Sequence, residues 1–339
     1  MSIKLDPQAR ALLARAAQGK YPPVHTVQPD VARRMYREMC RALQPAAPEV
    51  ASVAELSFPG PGGPVALRLY RPLHGPGVRQ GAPGGPLPVV VFFHGGGFTI
   101  GDLDTHDVPC RTLANFARCA VLAVDYRLAP EHRFPAAFED GVAAVRWTAA
   151  HAGELGLDAG RIAVAGDSAG GNLAAATALA LRGEGPRIAL QVLLYPGLDM
   201  RGASQSHIDF AKGYLLERED ILWFMGNYLE REAHALDWRA SPMLAPDHRG
   251  LPPAYIFTAG FDPLRDEGLA YAEKLAASGA AVTYECFEGM IHGFITMGAA
   301  LAAADHALYR AGQGLRLAFA PAPAPAVAPA VAPDGARGG

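Results

Sequence analysis

Strand-like apolar runs recur along the chain at residues 65–70, 89–93, 120–124, 162–165, 190–195, 254–258 and 281–287, and helix-like segments follow most of them. That alternation predicts an α/β sheet. The runs VVVFF and VLAV are apolar on consecutive residues, as central strands covered on both faces are, whereas VALRLY alternates as a half-exposed strand does. Helices are predicted over 138–155, 169–182, 265–277 and 299–315, and no repeat of fixed period appears.

Two segments fall outside the alternation. The first fifty or so residues are helical in character (LDPQARALLARAA, then PDVARRMYREMCRAL), and residues 201–250 form an insertion between two strands. Packed together they make a cap, because insertions at the carboxyl ends of strands are where an α/β sheet places its binding crevice. The expected organisation is a cap from 1–50 and 201–250 over a core from 51–200 and 251–319. The tail 320–339, rich in Pro and without large apolar side chains, is expected to be disordered. A Gly/Pro-rich stretch, 72–88, reads as a loop or a lengthened hairpin connection.

Half of the 339 residues are hydrophobic and 19% are charged, which excludes disorder of the whole chain. Lys and Arg total 30 against 33 acidic residues, so there is no basic excess to neutralise nucleic-acid phosphates or an anionic membrane. No apolar run reaches the roughly 18 residues that span a bilayer. Residues 1–20 carry Lys4, Asp6, Arg10, Arg15 and Lys20 where a signal peptide has an apolar centre. A cytoplasmic protein with no stable membrane anchor and no nucleic-acid partner is expected. Cys40, Cys110, Cys119 and Cys286 form no C-x-x-C pair and no zinc-ligand spacing, so they read as reduced packing residues, and no metal is expected.

The candidate chemistry sits in residues 162–172, IAVAGDSAGGN, a strand running through G-x-S-x-G into a helical pattern. A serine here lies on a tight strand-to-helix turn, flanking glycines leave room for the strained backbone, and the helix N-terminus favours developing negative charge. Ser168 is the nucleophile candidate. With 38 glycines and eight serines, chance supplies about 0.1 such pentapeptides, so the motif alone also admits a serine that merely caps a helix. The context decides. A buried-type strand at 89–93 runs into His94-Gly95-Gly96-Gly97, a string that chance supplies roughly 0.02 times. Backbone N–H groups of such a loop, with that of Ala169 after the nucleophile, can stabilise a tetrahedral oxyanion. Gly96 and Gly97 are the preferred loop donors, and Gly95 stays open because sequence does not show which amides point inward. His94 precedes the nucleophile and reads as an anchor of the loop.

A serine nucleophile needs a base, and the base needs an orienting carboxylate, in the chain order Ser, Asp or Glu, His. Among His207, His234, His248, His292 and His306, only His292 stands directly beyond a strand-like run, in FEGMIHGF. His292 is the base candidate. For the acid, YIFTAGFDPLRDE places Asp262 after the preceding strand, so its loop neighbours that of His292 if the two strands are adjacent. Taken alone, Asp262 reads as a helix N-cap with Pro263 at the first helical position. Asp266 lies one turn further on and should point elsewhere, and Glu285 and Glu288 flank the histidine too closely.

The strings HGGGF at 94–98, DYRLAPEHRFPAAFED at 125–140, GDSAGGN at 166–172, FDPLRDEG at 261–268 and IHGF at 291–294 resemble the bacterial hormone-sensitive-lipase-like (family IV) carboxylesterases of the α/β-hydrolase superfamily. The resemblance spans roughly residues 60–315. It implies an α/β-hydrolase fold, a mostly parallel central sheet with helices on both faces and a helical cap. It further implies a triad of Ser168, Asp262 and His292, an oxyanion hole from Gly96, Gly97 and Ala169, and cofactor-free hydrolysis of short- to medium-chain acyl esters. Many members form homodimers, so a homodimer is implied as well. The same machinery fits an amidase or deacetylase of small aryl amides. A non-catalytic small-molecule receptor on the hydrolase fold is disfavoured because His292 is present, and a dehalogenase because a serine stands where that reaction wants a carboxylate. Tyr36, Phe210, Tyr214, Trp223, Phe224 and Met225 can line a pocket, although helical aromatics are more often core.

Overall fold

The computed structural model describes residues 4–19, 21–74, 78–79, 82–83 and 85–320, so the expected disordered tail lies, beyond residue 320, outside the described residues. Eight strands form one sheet: β1 (Ser52–Gly60), β2 (Gly63–Arg71), β3 (Leu87–Phe93), β4 (Ala120–Asp125), β5 (Leu157–Asp167), β6 (Ile188–Leu194), β7 (Ala254–Phe261) and β8 (Val282–Ile291). Their spatial order is β1-β2-β4-β3-β5-β6-β7-β8. β2 pairs antiparallel with both β1 and β4, and every other pairing is parallel. The helices are α1 (Pro7–Ala16), α2 (Pro29–Leu43), α3 (Asp107–Ala117), α4 (Ala136–His151), α5 (Ala169–Leu181), α6 (Ser206–Asp209), α7 (Arg218–Tyr228), α8 (Arg265–Ala277) and α9 (Ala303–Phe319).

The consecutive apolar residues of β3 have a direct physical cause. Val89, Val91 and Phe93 pack into a core shared with α4, α5 and α8, while Val90 and Phe92 enter a second core shared with α1, α3 and α9. Successive strand residues point to opposite faces, so a strand buried on both sides must be apolar throughout. The four helices read from sequence are present, shifted by a few residues at their ends.

Two elements went unread. Strand β1 is mostly exposed, so it carries no buried alternation to read. Helix α3 buries Cys110, Leu113, Ala114 and Ala117, a helical stripe, but Pro109 in its first turn breaks the sequence signal. The 72–88 stretch is corrected in one respect. It cannot be a hairpin connection within the main sheet, because β4 lies between β2 and β3. It carries instead a short antiparallel pair, Val78–Arg79 with Ala82–Pro83.

Parallel strands share one carboxyl edge, and this edge collects the candidate chemistry. β3 ends at Phe93 before His94, β5 at Asp167 before Ser168, β7 at Phe261 before Asp262, and β8 at Ile291 before His292. The first fifty residues reach the same edge. Arg33 of α2 donates from Nε to the Thr99 carbonyl at 2.8 Å and from Nη2 to the Ala129 carbonyl at 2.9 Å. His25, just before α2, meets Asp220 of α7 at 2.7 Å, which ties the N-terminal segment to the insertion.

Phe92 is fully buried in the middle of the sheet. Phe92→Ala is expected to lower unfolding stability by about 3–5 kcal/mol, read from the shift of a chemical denaturation midpoint.

Candidate active site

Ser168 lies between the last residue of β5 and the first of α5 with φ +54° and ψ −118°, a conformation that L-residues with a side chain rarely adopt. Crowding explains the glycines around it. A Cβ on Gly166 would stand 2.3 Å from the Gly170 carbonyl oxygen, and one on Gly170 would stand 1.9 Å from that of Phe93. Only residues without a Cβ let the start of α5 approach β3 this closely. The Ser168 N–H donates to the Leu194 carbonyl at 2.8 Å, which ties the turn to β6 as well.

The three residues predicted to act together meet. His292 Nε2 lies 2.9 Å from Ser168 Oγ, and His292 Nδ1 lies 2.7 Å from Asp262 Oδ2. Adjacent pairing of β7 and β8 brings the acid and the histidine onto neighbouring loops. Asp262 is fully buried, and its Oδ1 accepts the Leu264 N–H at 2.9 Å. Asp262 is therefore not the N-cap that its sequence context suggests, because α8 starts at Arg265 with Leu264 as its N-cap, and the turn at Leu264 and the contact to His292 use different oxygens of the one carboxylate. Asp266 turns away to accept the Ser206 N–H at 2.9 Å, and Glu285 pairs with Arg310. Of the remaining histidines, His207 contacts Glu267, His248 the Pro242 carbonyl and His234 Arg231, while His306 is exposed on α9.

The glycine loop folds back on itself, with the N–H groups of Thr99 and Ile100 both donating to the Gly96 carbonyl. Gly96 and Gly97 have φ of +119° and +57°. Both line the cavity that holds Ser168, Ala169 and His292. Gly95 differs from its two neighbours. Its N–H donates to Asp167 Oδ1 at 2.8 Å, so it is already committed to a protein acceptor. His94 anchors the loop, as the sequence suggests. It is buried with Nδ1 2.8 Å from the Gly95 carbonyl, and its ring stacks on Tyr126 at 4.3 Å. The Tyr126 hydroxyl in turn donates to the His94 carbonyl at 2.7 Å. Burial, and then His106 alongside, push the His94 imidazole down to about 4, so it is a neutral ring near neutral pH.

The cavity has a volume of about 640 Å³ and a largely apolar wall. Met35, Tyr36 and Met39 of α2 form one side, and Ile221, Phe224 and Met225 of α7 form another. Of the six aromatic and Met candidates, Tyr36, Phe224 and Met225 therefore face the site. Phe210 and Tyr214 pack with Phe261 instead, and Trp223 packs against Phe224. Phe224 sits against Gly97, where an added Cβ would lie 2.3 Å from its ring. Asp167, within the GDSAGGN string, and His106, for which the sequence suggests no role, also converge here at 3.0 Å. No helix among the described residues is long and apolar enough to cross a membrane.

The family profile of the alpha/beta hydrolase fold matches residues 90–296, which is more than half of the chain. The chain belongs to this family. It is 45% identical over 273 residues to the carboxylic ester hydrolase LipN of Mycobacterium tuberculosis, covering 78% of this chain and 70% of the relative. Over 313 residues it is 38% identical to the ethyl acetate hydrolase of Pseudomonas putida, covering 91% and 96%. Among solved structures, an ester-hydrolase from the metagenome of Lake Arreo, complexed with a bipyridine phosphonate derivative, superposes with a TM-score of 0.88 at 42% identity. That match covers 93% of this chain and 99% of the other. A thermostable esterase from Pseudomonas putida gives 0.88 at 34% identity, covering 95% and 100%. The resemblance drawn from the HGGGF, GDSAGGN and IHGF strings is borne out, and so is the α/β-hydrolase fold it implied.

Gly96→Ala puts a Cβ within 2.1 Å of the Ile100 carbonyl oxygen at a φ that disfavours any side chain. The loop must shift, and if it supplies oxyanion donors, turnover is expected to fall about 100-fold or more in a steady-state assay.

Proposed function

We propose that this protein is a serine carboxylesterase that hydrolyses short- to medium-chain acyl esters through an acyl-enzyme. The observation that carries the reading is the continuous hydrogen-bonded relay from Asp262 through His292 to Ser168 Oγ, lying beside the Gly96–Gly97 turn. The ester-hydrolase names of its relatives support the same reaction class.

His292 takes the Ser168 proton as Oγ attacks the ester carbonyl carbon, and Asp262 holds the imidazole with Nδ1–H toward the carboxylate and stabilises the imidazolium. The Gly96, Gly97 and Ala169 amides stabilise the oxyanion, each donor being worth about 3 kcal/mol in comparable hydrolases. Collapse of the tetrahedral adduct expels the alcohol, which takes its proton from His292. Water then attacks the acyl-enzyme and gives a proton to His292, and as the second tetrahedral adduct collapses to the carboxylic acid, the departing Ser168 Oγ takes that proton back from His292, which restores both residues. The strained backbone at Ser168 holds Oγ in place before substrate arrives, which is where positioning contributes.

Residues 1–50 and 201–250 act in this reading as a cap over the acyl and alcohol pockets, and the apolar wall from α2 and α7 supports neutral esters of modest length. The four cysteines, none of them in a disulfide, support a reducing, cytoplasmic setting. The homodimer implied by the resemblance belongs to the same reading and is read directly by sedimentation velocity.

Ser168→Ala is expected to lower ester turnover more than a thousandfold, and loss of less than tenfold overturns the reading. Asp262→Asn keeps the shape but supports the wrong tautomer, with an expected fall of about 10⁴ in kcat. In a series of p-nitrophenyl esters, kcat/KM is expected to pass through an optimum at short to medium chains. A matched anilide is expected to react far more slowly than the ester, and the opposite ranking points to an amidase.

A further inference from the structure

Behind the glycine loop lies another histidine–carboxylate pair, one that the reaction above does not use. His106 and Asp167 are 1% and 2% exposed, with His106 Nε2 3.0 Å from Asp167 Oδ1. The same oxygen accepts the Gly95 N–H at 2.8 Å. Asp167 Oδ2 accepts the Tyr195 hydroxyl at 3.4 Å, and the Tyr195 ring meets His292 edge-on at 4.9 Å. One carboxylate thus holds the glycine loop, precedes the nucleophile in the chain and braces the ring beside the base.

The protons on His106 follow from its neighbours. Nδ1 lies 3.0 Å from Thr105 Oγ1. That hydroxyl accepts the Asp102 N–H at 2.9 Å and donates its one hydrogen to the Asp102 carbonyl at 2.8 Å, leaving only a lone pair for the imidazole. With the hydroxyl in that orientation, Nδ1 is the donor of this contact. Nε2 faces the Asp167 carboxylate, another acceptor. The Gly95 N–H is shared, 3.4 Å from Nε2 and 2.8 Å from Oδ1, with the shorter bond to the carboxylate. A ring that donates from both nitrogens, as an imidazolium does, keeps all of these bonds at once. Burial acts to raise the pKa of Asp167, but His106 and the Gly95 N–H outweigh it and hold the carboxyl below its usual range. The neighbouring His94 ring, 5.6 Å away, is neutral, and the remaining close rings are those of Tyr36 and Phe92.

We propose that His106 is held as a buried imidazolium whose pairing with Asp167 positions the oxyanion loop and cancels the carboxylate's charge beside the developing oxyanion. Both are positioning residues, since neither touches the reacting atoms. An uncompensated Asp167 carboxylate opposes the negative charge that the loop amides must stabilise, in a site where water screens little. The catalytic part of this inference rests on the serine esterase reading, whereas the charge state of the pair does not.

The first measurement is the two-bond ¹H–¹⁵N spectrum of the wild-type histidine rings at neutral pH. The His106 signals are assigned by their loss in His106→Gln or, if that variant does not fold, through bonds from the labelled side chain. The imidazolium pattern is expected for His106, and a single neutral tautomer overturns the proposal. The second is a kinetic cycle. His106→Gln is expected to lower kcat at least about tenfold with KM within about threefold. Adding Asp167→Asn to it should recover kcat at least about threefold, because the unpaired charge is gone. A double variant no better than His106→Gln marks a purely structural pair and overturns the electrostatic role. Wild-type protein without ester turnover instead overturns the parent reading, and the spectrum still decides the pair.

Discussion

The arrangement of the site hangs on how closely the first turn of α5 approaches the end of β3. Gly170 comes so near Phe93 that no Cβ fits between them, and Phe93 is the last residue before the glycine loop. That single contact sets the distance between the Ser168 turn and the amides of the glycine loop. It also accounts for the strain at Ser168, because the chain must leave β5 and enter α5 within one residue to keep it. The helix N-terminus then points at the same space as the loop, so backbone dipoles from two elements converge where negative charge would develop.

The opposite half of the site depends on strand pairing. Asp262 and His292 are 30 residues apart in sequence, and they meet because β7 and β8 are parallel neighbours with their ends in register near Phe261 and Ile291. Each partner is immobilised before any substrate is present. Asp262 has one oxygen on the Leu264 N–H and the other on His292, and His292 has the Tyr195 ring against its side. A buried carboxylate with both oxygens occupied has little freedom to rotate, and that is the structural basis for a fixed imidazole tautomer.

Much of this was legible in the sequence, for identifiable reasons. β3, β4 and β5 read clearly because burial on both faces forces consecutive apolar residues. Ser168, the Gly96–Gly97 turn and His292 read clearly because tight turns and close approaches admit few residue types. The misses are equally physical. β1 lies exposed at the sheet edge and leaves no pattern, and the committed Gly95 amide depends on Asp167, 72 residues away. The His106–Asp167 contact is a long-range polar pair inside a core, and hydrophobic periodicity carries no trace of such pairs. The pocket wall was half legible. The six candidates were chosen as helical aromatics and a Met, but which of them face inward depends on how α2 and α7 lie against the strand ends, a tertiary property.

The same tertiary contacts link the pocket wall and the glycine loop into one body. Arg33 of α2 holds the Thr99 carbonyl, two residues beyond Gly97, while Phe224 of α7 rests on Gly97 itself. Phe98 stacks on Tyr228 at the end of α7 at 3.8 Å. His25 and Asp220 join the two chain-distant segments to each other. Any movement of α2 or α7 that admits a substrate therefore also bears on the loop. Among the described residues, the pocket's charged lining besides the histidines, Asp167, Asp199, Glu217, Asp220 and Glu267, is all acidic, and each has a hydrogen-bonding partner within the protein. The described part of this wall offers an incoming carboxylate no cation to replace its lost water, whereas a neutral acyl chain gains contact with Met35, Ile221 and Met225 at little electrostatic cost. The surroundings of Ser168 and His292, and not those two residues themselves, thus set an electrostatic bias toward uncharged ligands.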